Sequence, residues 1–498
     1  MSDGDPIVVI GAGPAGLTAA WLLTRHDRHP LVLEKDTQVG GIARTVEYKG
    51  FRFDIGGHRF FTKVRAVRQL WRDMLGAELL QRPRLSRIYY GGKFFDYPLK
   101  PMNALSGLGL ANALLVLLSY MWIRVRPITP EVTFEDWVTN RFGRRLYTIF
   151  FKTYTEKVWG IPCSQIGAQW AAQRIKGLSL VSAIVNMLLP KKSSGGQIKT
   201  LIHEFEYPRL GPGMMWDAFH HHLLRHGGFL KFGAGVKRLE HADGQIIAVE
   251  YEHDQTRQRV PVSSVVATMP LRELIHSLSP APPPEVVAAA DRLHYRDFLT
   301  VALIVDAPTL FPDNWIYVHD PRVKLGRIQN FKNWSPAMVP DASKTCLGLE
   351  YFCFEGDGLW TMSDADLIEL GTREVTEIGL LHGAKVIDGA VVRMPKAYPV
   401  YDEGYEAALA IVSRYLVGFS NLHVAGRNGL HKYNNQDHSM VTALLAAQNV
   451  LGAHHDVWAV NADDEYHEEG DVDLGDVFAD PTALESTQPH VPPGPATD

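Results

Sequence analysis

Three glycines at a fixed spacing carry the first chemistry in this sequence. Gly11-Ala12-Gly13-Pro14-Ala15-Gly16 follows the short β-branched run Ile7 to Ile10 and precedes the helical pattern Leu17 to Leu23. In a strand, turn and helix of this kind, Gly11 permits the tight turn, Gly13 lets the backbone approach a pyrophosphate, and Gly16 lets the helix pack on the strand. Amides at the helix N-terminus, from Ala15 onward, then face the phosphates. A second apolar strand, Leu31 to Leu33, ends at Glu34-Lys35, where a carboxylate can accept bonds from ribose hydroxyls. The spacing points to a bound dinucleotide. Glu34 belongs to its ribose end, too remote for a part in the reaction.

Later segments choose among dinucleotides. Gly40-Gly41-Ile42-Ala43-Arg44-Thr45 resembles the second glycine signature of the amine-oxidase-like flavoproteins, which implies FAD and sets Gly41 and Arg44 against phosphate. Gly235-Val236, with the strand Ser264 to Thr268 behind it, resembles the segment that returns to cover the adenine. Leu422 to Arg427 and the helix from about Ser439 to Leu451 resemble the last strand and flavin-facing helix of that group. The implied fold class is α/β: a Rossmann-like, discontinuous FAD-binding domain with a helical segment and a mixed α+β substrate domain. On this reading residues 1–99, 205–270 and 396–455 bind FAD. Residues 100–204 form a mainly helical lid and substrate domain, 271–395 a mixed substrate domain, and 461–498 an acidic disordered tail. No second Gly-x-Gly-x-x-Gly follows a strand, so a separate nicotinamide domain is not expected. A reductant such as NAD(P)H would visit only transiently.

Phe53-Asp54-Ile55-Gly56-Gly57-His58 resembles the histidine loop of the UDP-galactopyranose mutase family, flavoenzymes that exchange pyranose and furanose rings of a nucleotide sugar. Glycines 56 and 57 would let the backbone of His58 come close to the flavin. Lys157-Val158-Trp159, Trp170 and Arg174 resemble that family's mobile lid and first phosphate-binding arginine. Trp315-Ile316-Tyr317 and Arg327, with Asn333 to Pro336 behind them, resemble the second arginine and its tyrosine. Tyr398, then Arg427 and Tyr433 in Gly426-Arg-Asn-Gly-Leu-His-Lys-Tyr433, fall where the family meets phosphate and sugar; Asn435-Gln436-Asp437-His438-Ser439 matches the turn into the flavin-facing helix. The resemblance implies a nucleotide-diphosphate-sugar substrate and reduced flavin N5 as the nucleophile, with His58, Arg174, Arg327, Tyr317, Tyr398 and Tyr433 as catalytic residues. Paired arginines suit such a leaving group, offering fork geometry and a charge that is not titrated away.

The sequence also departs from the family. Where the family carries Tyr-Pro-Phe-Gln against uracil, this chain has Tyr97-Pro98-Leu99-Lys100, which loses a stacking face and gains a cation. Thr155 stands where the lid usually has asparagine. A different base, a different sugar or a lipid-linked diphosphate sugar would each suit these changes. The competing activity is an FAD-dependent oxidoreductase of the amine-oxidase or protoporphyrinogen-oxidase type, in which the arginines would be structural ion-pair partners. A flavin-binding scaffold is a third reading.

Composition sets the outer limits. A chain of 498 residues, 46% hydrophobic and 21% charged, suits a multidomain globular enzyme. Basic residues form no runs, so no nucleic-acid partner is expected. Asp463 to Asp498 contains eleven acidic residues and no Lys or Arg, which suits disorder. Cys163, Cys346 and Cys353 lack metal-ligand or redox-pair spacing and read as buried thiols. No secretory signal pattern opens the chain, so a cytoplasmic location is expected. Residues 101–123 carry no formal charge. We read them as a buried helical hairpin, with membrane association as the alternative.

Overall fold

A computed structural model describes residues 6–97, 99, 101–168 and 204–460. Lys100, Trp170, Arg174 and the acidic tail lie outside the described residues. The elements that frame the site are, in chain order, β1 (Ile7–Ile10), α1 (Pro14–Arg25), β2 (Leu31–Leu33), β3 (Ser86–Tyr90), β4 (Lys93–Asp96), α2 (Pro101–Leu108), α3 (Leu110–Val125), α4 (Phe134–Phe142), α5 (Thr153–Trp159), β5 (Phe229–Lys231) and β6 (Ser264–Ala267). They continue through β7 (Tyr295–Val305), β8 (Trp315–Val318), β9 (Arg327–Asn330), β10 (Thr345–Cys353), β11 (Val386–Pro399), β12 (Leu422–Val424) and α6 (Gln436–Val450).

The first sheet is parallel throughout, in the order β12-β6-β1-β2-β5. Its strands are short, apolar and covered by helices, as parallel strands must be. Helices α1 and α6 lie together on it, and α6 buries residues from Asp437 through Ala447. The chain returns to this sheet three times, which makes the nucleotide-binding fold discontinuous.

The second sheet has seven strands, β11-β7-β10-β9-β8-β3-β4, antiparallel except where β8 meets β3. Every residue of β7 and β10 is buried. Residues 86–96 pair into this sheet, although the reading above groups them with the nucleotide-binding segments. A helical cluster packs on the β3–β4 edge of the second sheet, and its core includes Phe134, Trp137, Phe142, Tyr147, Phe150 and Trp159. Helix α4 starts at a capping box, Thr133 with Asp136, that satisfies its first amides.

The uncharged run departs from expectation. In α3 only Val116 and Ile123 are buried. Leu110, Leu114, Leu118, Met121, Trp122 and Val125 are exposed, Leu110 by 92% and Val125 by 78%. The run is therefore not a core element, because one stripe of the helix suffices to hold it to the body. No helix among the described residues is long and apolar enough to cross a membrane. All three cysteines are buried and free.

Candidate active site

A single cavity of about 1600 Å³ runs between the two sheets. It exceeds the roughly 300–1,000 Å³ of an ordinary small-ligand pocket. Every described candidate residue except Gly16 lines it: at one end Gly11, Gly13, Ala15, Glu34, Lys35, Gly41, Arg44 and Val236, at the other His58, Tyr97, Trp159, Tyr317, Arg327, Tyr398 and Tyr433. Gly57, Gly426, Arg427, Asn435, Gln436 and Ser439 also line it.

The glycine turn is built for a close backbone approach. Gly11 has φ +97°, and a Cβ there would lie 2.4 Å from Thr268 Oγ1; one on Gly16 would lie 1.8 Å from the carbonyl oxygen of Gly11. Only glycine fits either position. The Gly11 amide donates to the Leu33 carbonyl at 2.8 Å, and the amides of Ala12 and Asp36 donate to the two oxygens of Glu34 at 2.6 and 2.8 Å. Glu34 thus fastens the turn to the end of β2 and keeps free lone pairs on the cavity. The guanidinium of Arg44 is paired with Asp36. Burial opposes the Asp36 charge, yet Arg44 and the Thr37 amide hold that carboxyl below its usual range. Arg44 is thus held on the cavity wall, where its Nε is buried without a partner.

At the other end, β9 and β10 place Arg327 directly opposite Glu350. Arg327 donates to Glu350 at 2.5 Å, and Gln329 donates to the second carboxylate oxygen at 2.6 Å. Burial works against the Arg327 charge, but Glu350 raises its pKa well above normal and secures it. Arg427 is held differently, donating at 2.9 Å to the carbonyls of Asn434 and Ala397. It lies 5.2 Å from the Tyr398 ring and 5.0 Å from the Tyr433 ring, which stack on each other at 5.5 Å. No described carboxylate pairs with it. Such cation–π contacts fix the guanidinium without cancelling its charge.

His58 is near enough to both cations to feel their charge. Burial, then Arg427, and more weakly Arg327, push its pKa down to about 3, so its ring is neutral. Its Nδ1 is buried without a partner, as is Oε1 of Gln436 at the start of α6. Orphaned polar atoms facing a cavity are what a bound polar group would satisfy. With the glycine turn, the α1 N-terminus and the carboxylate at β2, these atoms fit a long dinucleotide lying from Glu34 to His58. The glycines before His58 serve a further purpose. A Cβ on Gly57 would lie 2.8 Å from Nε2 of Gln329, so the loop is seated directly on the Arg327–Glu350 strands.

Aromatic rings close the chamber. Tyr317 lies 4.6 Å from Tyr97 and 5.5 Å from Tyr154, which stacks on His319 at 4.7 Å. Trp159 meets Tyr433 at 6.5 Å. Burial raises the pKa of Tyr398 and Tyr154, keeping both phenols protonated. The segment Lys157 to Trp159 is hydrogen-bonded to the β8–β9 region in this structure. Lys157 donates to the carbonyls of Val318, Asp320 and Leu325 at 3.1, 2.7 and 3.0 Å, and burial lowers its pKa to about 8. Buried Arg296 donates to the carbonyls of Val158 and Phe352.

Glu350, Gln329, Tyr154 and Arg296 were not singled out from sequence. One signal was present: Glu350 is a carboxylate inside the apolar strand Thr345–Cys353, and a buried charge requires a partner. Which partner it meets depends on strand register alone.

Comparison with known proteins agrees with this architecture. A reduced UDP-galactopyranose mutase superposes with a TM-score of 0.78 at 23% identity, covering 92% of this chain and 98% of its own. A putative protoporphyrinogen oxidase from Exiguobacterium sp. 255-15 gives 0.68 at 16% identity, covering 90% and 99%. Among curated relatives, an L-amino acid oxidase of Crotalus durissus cumanensis is 32% identical over 115 residues, 20% of this chain and 23% of the relative. An inactive all-trans-retinol 13,14-reductase of Danio rerio is 50% identical over 56 residues, 11% and 9% of the two chains. The chain thus spans under a quarter of the length of these curated relatives. The flavin containing amine oxidoreductase model matches residues 14–451, so the chain belongs to that family of FAD-dependent flavoproteins.

Proposed function

We propose that the protein is a flavin-dependent isomerase that interconverts pyranose and furanose rings of a diphosphate-activated sugar, in the manner of UDP-galactopyranose mutase. The observation that carries this reading is Arg427. Among the described residues its charge meets only carbonyls and ring faces, beside an Arg327 already matched by Glu350. The chamber therefore holds an unmatched positive charge, which suits an anionic leaving group.

When bound, reduced FAD supplies a nucleophilic ring nitrogen to the anomeric carbon. The chain's residues do the rest. Arg327 and Arg427 stabilise charge developing on the departing diphosphate, where preorganised donors contribute most. The hydroxyl of Tyr398 stays protonated and donates, with Tyr317 and Tyr433 beside it. Neutral His58 offers a hydrogen bond from Nδ1 or accepts one there without adding charge. Trp159 and Tyr433 narrow access for water.

The oxidoreductase alternative draws on the curated relatives, an L-amino acid oxidase and a Haloarcula japonica carotenoid 3,4-desaturase among them. The two readings separate on the fate of the flavin. Reduced holoprotein given a sugar diphosphate should form the ring isomer with no stoichiometric flavin reoxidation, and cyanoborohydride should trap a flavin adduct with the mass of the sugar. Flavin reduction by substrate, with no isomer formed, rejects the mutase reading. Arg427→Ala should weaken diphosphate binding at least tenfold with FAD content intact.

A further inference from the structure

The part of the cavity wall contributed by the helical cluster, its apolar arm, is set apart by composition. There the cavity is walled by Ala104, Val116, Phe134, Phe142, Leu146 and Phe150, all buried, all apolar and all in one packed cluster that Tyr317 also touches. Charged or amide side chains are missing from this wall among the described residues. A nucleoside's base and ribose need polar partners there. The chain instead carries Leu99 and Lys100 where the related family contacts its base.

Val116 ties this arm to the surface. It sits on the inner stripe of α3, and the outer face of that helix presents Leu110, Leu114, Leu118, Met121 and Val125 to solvent. At 16 residues and about 1.5 Å per residue, α3 spans roughly 24 Å, short of the ~30 Å hydrocarbon thickness. A helix of this kind lies along a bilayer surface. Its end has the matching chemistry. Trp122 is exposed with Arg126 5.1 Å from its ring, Arg124 follows, and neither arginine has a carboxylate partner among the described residues. From residue 101 to 130 the sequence has no Asp or Glu. Exposed apolar side chains edged by tryptophan and uncompensated arginine complement an anionic membrane interface.

We propose that the sugar is carried on a lipid diphosphate, drawn from an anionic bilayer against which α3 rests, with the hydrocarbon chain in the apolar arm beside Val116 and Phe150. The inference rests on the mutase reading for its diphosphate, and it replaces the nucleoside with a lipid.

The test uses the FAD-loaded full chain. In flotation with phosphatidylglycerol and phosphatidylcholine vesicles the protein should rise with the lipid, and Leu118→Glu with Met121→Glu should cut the bound fraction at least tenfold with unchanged FAD content. Geranylgeranyl diphosphate, read by flavin fluorescence, should bind at least tenfold tighter than inorganic pyrophosphate or UDP. Val116→Phe should erase that preference and leave pyrophosphate binding as it was. If that variant does not fold, the wild-type preference decides alone. No flotation overturns the inference, as does equal affinity for geranylgeranyl diphosphate and pyrophosphate. A detergent-free dimer that Leu118→Glu dissociates also overturns it, by assigning the face to a second copy. Isomerisation of a nucleotide sugar without lipid preference rejects the lipid and keeps the mutase reading. Failure of every diphosphate to bind rejects both.

Discussion

Glu350 faces Arg327 across two strands, and the pair controls how much positive charge the chamber presents. A buried carboxylate that neutralises one guanidinium leaves Arg427 as the unmatched cation. Glu350→Gln should therefore act twice. It strands a buried charge, costing on the order of 3 kcal/mol in urea denaturation, and it should tighten binding of inorganic pyrophosphate. A stability loss below about 1 kcal/mol would show that water already screens the pair. Single residues were legible here to differing degrees. Arg327, Tyr398 and Tyr433 stood in recognisable neighbourhoods. The Asp36 partner of Arg44 was not legible, because it lies in a turn whose path sequence does not specify.

Loops and strands explain why the candidates converge. The loop carrying His58 is seated on β9 through Gly57, where Gln329 is fixed by Glu350 and has little room to retreat. Gly57→Ala should push that loop off the sheet, lowering FAD occupancy of the purified protein several-fold while far-UV circular dichroism stays unchanged. Full FAD content in this variant would mean that the loop has slack. The nucleotide-binding elements were legible because turn, helix and strand are adjacent in sequence. Contacts set by long-range register were not, among them Glu350 with Arg327 and the hairpin of β3 and β4 on β8. Helix α3 was misread for a different reason. An apolar run reads alike in a core and on a surface, and only packing separates the two.

Across the whole molecule, several histidines are buried as neutral rings. Burial comes first in each case, holding His58, His222 and His319 near 3 and His423 and His431 near 4. Unfolded histidine takes a proton near pH 6.5. Below that value the unfolded chain binds more protons than the folded one, so stability falls as pH drops from about 6.5 toward 4. Three acids raised by burial, Asp54 to about 7 together with Asp217 and Asp297, work in the opposite sense but are fewer than these rings. Thermal midpoints should therefore climb steadily from pH 4.5 to pH 7, and a flat or falling profile would mean these rings are hydrated. The parallel sheet carries one further consequence, which concerns timing. Its strands come from residues 7–10, 31–33, 229–231, 264–267 and 422–424. At about 5–20 residues per second of synthesis, the first strand waits tens of seconds for the last. The glycine turn thus leaves the ribosome long before its sheet can close, and flavin capture becomes a late event that the nascent chain must survive with an unpaired edge.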